Sequence, residues 1–407
     1  MRILILCRLF PHPQKGASIR PFYLIKHLSE KYGYEITLLS FKEENIECHY
    51  ENELEKYCRV TKYIDIKLYT PLINKIYYII RNMFSLQNIL KDHFFLSYYY
   101  SPKMKKEIDV LLETEDFDAI YAEGPMAPYV DSVPLPKIVE PLDAGSKVCY
   151  EWFLQHKNPF KKAIWLLQYL EARNREMRSY KNFNYCIVVT QRDKMILESY
   201  SQLLNVEVIP NGVDISYFKP INVKEDFPSL IFVGDMSGLK NVNAVLYLYK
   251  KIYPEILKEY QNIKFYIVGR NPCSEIRKLS SDRSVIVTGY VKDVRPYLAK
   301  ATVVVVPFLN GTGIKNKVLE AMAMERPVVT TSIGAYGINV TPNKNIIIAD
   351  DPKEFAKRIV ELLNDEQLRR KIAHNGRILV EANYSWEKVA DALNELFEEI
   401  VRTNANN

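Results

Sequence analysis

The chain lacks most of the patterns that would assign it quickly. Its six cysteines, Cys7, Cys48, Cys58, Cys149, Cys186 and Cys273, include no Cys-x-x-Cys pair. Such scatter argues against a zinc site or a disulfide framework and fits free thiols in a reducing compartment. There is no run of about 18 apolar residues, so no membrane-spanning helix is expected. Met1 to Phe10 is apolar but lacks a signal peptide's length and cleavage site, and the expected location is the cytoplasm. Low-complexity tracts and internal repeats are missing. The formal net charge is only +6, too small to argue for nucleic acid, and no RNA-binding motif is present. Gly-x-Gly-x-x-Gly is absent after the first strand, which leaves a dinucleotide site poorly supported.

What is present is globular. The 407 residues are 48% apolar and 26% charged, a composition and length that suit two domains of ordinary size. The most informative stretch is Ala301 to Gly337, ATVVVVPFLNGTGIKNKVLEAMAMERPVVTTSIGAYG. Val303 to Val306 is an unbroken β-branched run, as in a parallel strand buried on both faces. Pro307 ends it, and Asn310 to Gly313 supplies a permissive turn. A helix is predicted over Ile314 to Met324, where Val318 and Leu319 share a face with Met322. Arg326-Pro327 stops it, and Val328 starts the next strand. A helix opening directly after such a turn offers backbone N–H groups and a positive dipole end to phosphate. Lys315 and Lys317 add cations in its first turn. Glu320, one turn on, is placed to accept from sugar or ribose hydroxyls. The plainer alternative is an i,i+3 surface pair, Lys317 with Glu320.

This segment, GTGIKNKVLEAMA with the following RPVV, resembles the donor site of glycosyltransferase family 4, in its exopolysaccharide branch. A second resemblance lies in Val206 to Pro220, where Pro-Asn-Gly-Val-Asp…Phe-x-Pro is similar to the family's interdomain signature. The fold implied is α/β, of the GT-B class: two Rossmann-like domains with parallel sheets facing across a cleft. The boundary is placed in the second segment. It gives an acceptor-binding domain over 1–206, onto which 386–407 crosses back, and a donor-binding domain over 207–385. The activity implied is retaining, metal-independent transfer of a hexosyl unit from a nucleotide sugar to a glycan or lipid-linked hydroxyl. No cofactor beyond the donor is implied. In the family's Glu-x7-Glu motif the second Glu binds ribose, and that position is Glu320. The first position holds Thr312.

In chain order, Arg2 to Leu6 and Tyr34 to Ser40 read as strands flanking a helix over Arg20 to Lys31. By resemblance, Lys15, Gly16 and Arg20 approach donor phosphate or acceptor, with Gly16 in the donor set and Arg20 in the acceptor set; otherwise Arg20 is a surface helix residue. His12 reads as a loop residue. Lys62 to Ile108 is rich in Tyr and Phe with interleaved Lys and Arg. It reads as helices lining the acceptor cleft or resting on a membrane, or as a helical insertion packed on its own domain. Asp116 and Asp118 precede a strand and no metal role is expected of them. Asp143, in the loop after the strand Lys137 to Glu140, is by resemblance a contact to the transferred sugar or acceptor. Ile164 to Lys181 reads as an amphipathic helix with Leu166, Leu167, Leu170 and Met177 inward. Asn211 and Asp214 read as turn residues.

Leu230 to Gly234 opens the second domain. Family members carry an Arg just after this glycine; here it is Asp235. Lys240 matches the family's Lys approximately and is the expected partner of the leaving diphosphate. Tyr290 and Val291, after Gly289, match the segment that frames the base, and Gly234, Gly311, Gly313 and Ile314 complete the donor set. Lys240, Glu320 and Asp143 are the catalytic candidates. Two other readings stay open. A GT-B UDP-sugar 2-epimerase would need extra acidic and His groups, and residues 301–337 hold no His. A catalytically silent sugar-nucleotide-binding protein would fit the altered Glu-x7-Glu and the displaced Arg.

Overall fold

The computed structural model describes residues 1–14, 16–42, 52–65, 101–311 and 313–405. The chain divides into two compact units, residues 1–209 with 390–407, and residues 210–389.

Seven parallel strands form the sheet of the first unit, in the order β3-β2-β1-β4-β5-β6-β7. They are β1 (Arg2–Cys7), β2 (Glu35–Lys42), β3 (Arg59–Asp65), β4 (Ala119–Glu123), β5 (Lys137–Leu142), β6 (Tyr185–Val188) and β7 (Val206–Val208). Ile3 pairs with Ile36 on one side and with Ala119 on the other. The β-rich apolar runs of β1 and β4 are buried throughout, as strands covered on both faces must be. Helix α1 (Ile19–Tyr32) buries Phe22, Leu24, Ile25 and Leu28, the face expected from their spacing. Gly33, at φ 66°, closes it by donating to the carbonyls of Leu28 and Ser29.

β3 was not expected. It occupies the start of the aromatic-rich stretch, whereas helices were anticipated there. Residues 66–100 of that stretch, and with them the reading as cleft-lining or membrane-resting helices, lie outside the described residues. Two further helices follow β5: α2 (Gly145–Gln155), which was missed, and α3 (Pro159–Arg178). In α3 the expected orientation is overturned. Leu166, Leu167 and Leu170 are exposed. The reason is that aromatic rings join the two helices. Trp152 stacks on Trp165 at 5.6 Å, and Tyr150 lies 5.2 Å from Tyr169. Trp165, Tyr169, Ala172 and Glu176 form one stripe, so the leucines fall outside it.

The second unit holds six parallel strands in the order β10-β9-β8-β11-β12-β13. They are β8 (Ser229–Val233), β9 (Lys264–Val268), β10 (Val285–Gly289), β11 (Val303–Val306), β12 (Val328–Thr330) and β13 (Ile347–Ile348). β8 leads into α4 (Leu239–Tyr247) and β11 into α5 (Asn316–Ala323). Val303 to Val306, Val318, Leu319 and Met322 are buried in one core, as their pattern required. Gly212 has no room for a side chain: a Cβ would sit 2.7 Å from the Trp386 ring. Asp214 serves its turn, accepting from the amides of Ser216 and Tyr217. The last helix, α6 (Trp386–Ala405), begins in this unit, and its residues from Ala390 belong to the first. There Tyr34 Oη donates to Asn394 Oδ1 at 2.7 Å.

Candidate active site

In each sheet the strand order reverses once, and ligands of such sheets sit beyond the strand C-termini at that reversal. In the second unit the reversal lies between β8 and β11. Gly234 follows β8 directly, and its amide donates to the Val268 carbonyl at 2.9 Å. A Cβ at Gly234 would lie 2.8 Å from Lys317 Nζ and 3.1 Å from the Asn241 amide. Lys317 Nζ donates to Asn241 Oδ1 at 2.8 Å, and Asn241 Nδ2 donates to the Asp235 carbonyl at 2.8 Å. The ammonium also lies over the rings of Phe232 (4.2 Å) and Phe308 (4.9 Å). Lys317 is therefore turned inward to β8 rather than out into a surface pair with Glu320. Burial pulls its pKa down to about 7, with Glu320 opposing and Lys315 assisting. Burial pushes the Glu320 carboxyl up to about 7, against the pull of Lys317.

Two more cations converge on the turn after β11. Lys315 Nζ donates to the Gly313 carbonyl at 2.7 Å. Gly311 has φ 135°, and a Cβ there would lie 3.5 Å from Lys315 Nζ and 3.7 Å from Lys240 Cδ. Lys240 is exposed in the first turn of α4. Neither α4 nor α5 has a side-chain N-cap; Gly238 and Lys315 precede them. Among the described residues no carboxylate or hydroxyl is recorded across their first-turn amides. Gly313 and Ile314 are buried, while Thr312 lies outside the described residues. Asn316 Oδ1 accepts from Asn211 Nδ2 at 3.3 Å, tying α5 to the Pro-Asn-Gly turn. Tyr290 is exposed after Gly289 (φ 69°), with Val291 half-buried beside it.

Arg270 was missed. It follows Gly269 at the end of β9, and its Nε donates to Asp235 Oδ2 at 2.7 Å. Gly269 has φ 148°, and a Cβ there would stand 1.8 Å from the Gly234 carbonyl oxygen, so this position must be bare. Asp235 Oδ1 accepts from Ser237 N and Oγ. Burial favours its protonated form, but the Ser237 and Arg270 hydrogen bonds hold the carboxyl down at about 2. An arginine after a strand glycine is thus present, one strand away from where it was sought. The strand-Gly-Arg order at Val268-Gly269-Arg270 was the available signal. Asn241 carried none beyond its place in the first turn of α4.

The first unit treats its candidates differently. Arg20 is buried and paired with Glu140, which also accepts from Tyr121 Oη. This corrects the surface reading of Arg20: its guanidinium is buried against a carboxylate of β5. Gly16 is exposed, at φ 46°, in the turn before α1, and Lys15 lies outside the described residues. His12 is buried, its Nδ1 accepting from the Gln14 amide. Asp118 accepts from the Arg2 amide. Asp143 is half-buried and follows Leu142, which is held at φ 70°. The α2 N-terminus beside it is already filled: Ser146 N donates to Glu176 Oε1 at 3.0 Å and Ala144 N to Asp193 Oδ1 at 3.3 Å. Two carboxylates already take amides at that end, in contrast to α4 and α5.

Residues 227–365 match the family model for glycosyl transferases group 1. This stretch belongs to the group 1 glycosyl transferases. The capsular polysaccharide biosynthesis glycosyltransferase CapM of Staphylococcus aureus is 29% identical over 210 residues, 46% of this chain and 54% of that protein. The chain spans about half the length of the curated relatives it matches first. Sucrose-phosphate synthase from Thermosynechococcus elongatus superposes with a TM-score of 0.71 at 17% identity, covering 99% of this chain and 100% of that one. Anabaena HepE, in complex with UDP and glucose, gives 0.66 at 16% identity, covering 98% and 100%. The fold of the chain is GT-B, with two α/β units built on parallel sheets.

Proposed function

We propose that this chain is a glycosyltransferase that moves a hexosyl unit from a nucleotide sugar to a hydroxyl of a glycan or lipid-linked acceptor. It does so with retention and without a metal. The observation that supports this most is the gathering of Lys315 and Lys240 at Gly311 and of Lys317 at Gly234, beside two helix N-termini without a side-chain N-cap. That is a set of donors for a diphosphate. The likeness to CapM, a capsular polysaccharide glycosyltransferase, and to UDP-bound HepE points the same way. In the reaction the bond from the anomeric carbon to the β-phosphate oxygen breaks, and a bond to the acceptor oxygen forms on the same face. The acceptor proton passes to the departing phosphate. The charge that builds on that phosphate is met by Lys240, Lys317 and the α4 and α5 amides. Glu320 accepts from the ribose hydroxyls. Tyr290 and Val291 border the base, Gly16 approaches the donor, and Asp143 contacts the transferred sugar or the acceptor. No cofactor takes part.

A calorimetric panel of UDP, GDP and ADP, each with magnesium and with EDTA, tests this. Tight binding of one nucleotide, unchanged by EDTA, followed by sugar transfer from the matching donor, is the expected result. Failure of all three to bind would overturn the assignment.

A further inference from the structure

Among the described residues, six large apolar side chains stand exposed on the helical pair α2–α3. Leu154 is 58% exposed, Phe160 74%, Leu167 53% and Leu170 51%, with Leu166 and Tyr150 close behind. Contiguous apolar surface of this kind marks an interaction face. Its charge is one-sided at the tip. Residues 152–167, WFLQHKNPFKKAIWLL, carry Lys157, Lys161 and Lys162 and no acid. Lys161 is exposed, and Lys162 lies over the Phe153 ring at 4.8 Å. The Trp152–Trp165 stack stands half-buried at the base of this tip. Asn158 caps α3 by accepting from the amides of Phe160 and Lys161, which fixes the turn that presents Phe160.

We infer that the α2–α3 tip docks on an anionic lipid surface, with Phe160, Leu154 and Leu167 entering the headgroup boundary and the three lysines meeting lipid phosphates. The pattern of apolar side chains with lysines and indoles around them is that of an interfacial helix. No described helix is long and apolar enough to cross a membrane, so the pair would lie on the surface. A second copy of the chain is a poorer occupant, since a symmetric contact would set the lysine-bearing tips against each other. This deepens the reading of a lipid-linked acceptor, but it rests on none of the donor-site residues.

The test is flotation of the full chain with vesicles, one set of phosphatidylcholine alone and one of equal parts phosphatidylcholine and phosphatidylglycerol. Binding to the anionic set only, weakened by salt, is expected. Lys161→Ala with Lys162→Ala should weaken it roughly 25-fold, at about fivefold per lysine near a charged surface. Phe160→Ser with Leu167→Ser should abolish it at low salt, and nucleotide affinity measured on the same preparations should not change. These serines replace exposed groups, so folding is not at stake. Absence of flotation by the parent chain would overturn the inference, as would parent-like binding by both variants. So would a doubled solution mass that Phe160→Ser returns to the monomer. A failed nucleotide titration with intact flotation would sink the donor reading and leave this one standing.

Discussion

The ammonium of Lys317 occupies the space that a side chain at Gly234 would fill, 2.8 Å from where its Cβ would stand. The glycine is therefore part of the lysine's binding pocket. Gly234→Ala should displace Lys317 from Asn241 and weaken nucleotide binding about tenfold or more, the scale of one charge-assisted hydrogen bond. Lys317→Met should do at least as much. Calorimetric titration checks both, with circular dichroism to show that the fold is kept. Parent-like affinity in Gly234→Ala would mean that Lys317 does not touch the ligand.

Donor binding should be greatest near pH 7. The unliganded Lys317 titrates at about 7 because it is buried. A diphosphate favours its charged form, so binding takes up a proton above pH 7 and weakens as pH rises, by up to about tenfold per unit. Glu320 also titrates at about 7. Hydroxyl donors favour its carboxylate, so binding releases a proton below pH 7 and weakens as pH falls. Lys317→Met should remove the alkaline limb and Glu320→Gln the acidic one. Comparing variants with the parent cancels the ligand's own titration. Identical profiles for all three proteins would contradict the assignment.

Arg270→Ala should separate binding from stability. Its pair with Asp235 is half-exposed, and such pairs contribute about 0–1 kcal/mol, so the melting temperature should barely move. If the guanidinium turns from Asp235 to the donor, affinity should drop about tenfold. Loss of melting temperature with unchanged affinity would make the pair a purely structural clip.

Arg20→Ala should behave in the opposite way. The Arg20–Glu140 pair is almost fully buried, and removing one partner leaves the other charge stranded, at a cost of about 3–5 kcal/mol. Denaturant unfolding should show that loss. Arg20→Ala with Glu140→Gln should recover part of it, since the stranded charge is gone. Normal stability with a raised acceptor KM would support Arg20 as an acceptor contact.

Much of the second unit was legible because each signal was local. Val303 to Val306 could only be a buried strand, and the turn and helix after it followed from glycines and from helical spacing within a few residues. The first unit hid what depended on distant partners. Nothing near Arg20 announces Glu140, which arrives on β5. Leu166, Leu167 and Leu170 looked like a core face until Trp152 and Tyr150, on the unforeseen α2, took the interhelical stripe for Trp165 and Tyr169. β3 escaped because Arg59, Lys62 and Asp65 interrupt it, so it lacks the apolar run that marks β1. Arg270 escaped because an arginine was sought after one strand's glycine and stood after its neighbour's.

The division of α6 between the units has a consequence for how the protein is made. Synthesis runs from the N-terminus, and domains commonly form as they leave the ribosome. The first unit cannot finish in that order. Leu393 and Phe397 of α6 pack beside Ile5 and Leu24, and Asp391 meets Lys31, yet all three emerge after the whole of 210–389. The nascent first sheet must wait with that flank of α1 uncovered while the second unit is completed. Release of the last helix then closes the earlier unit last.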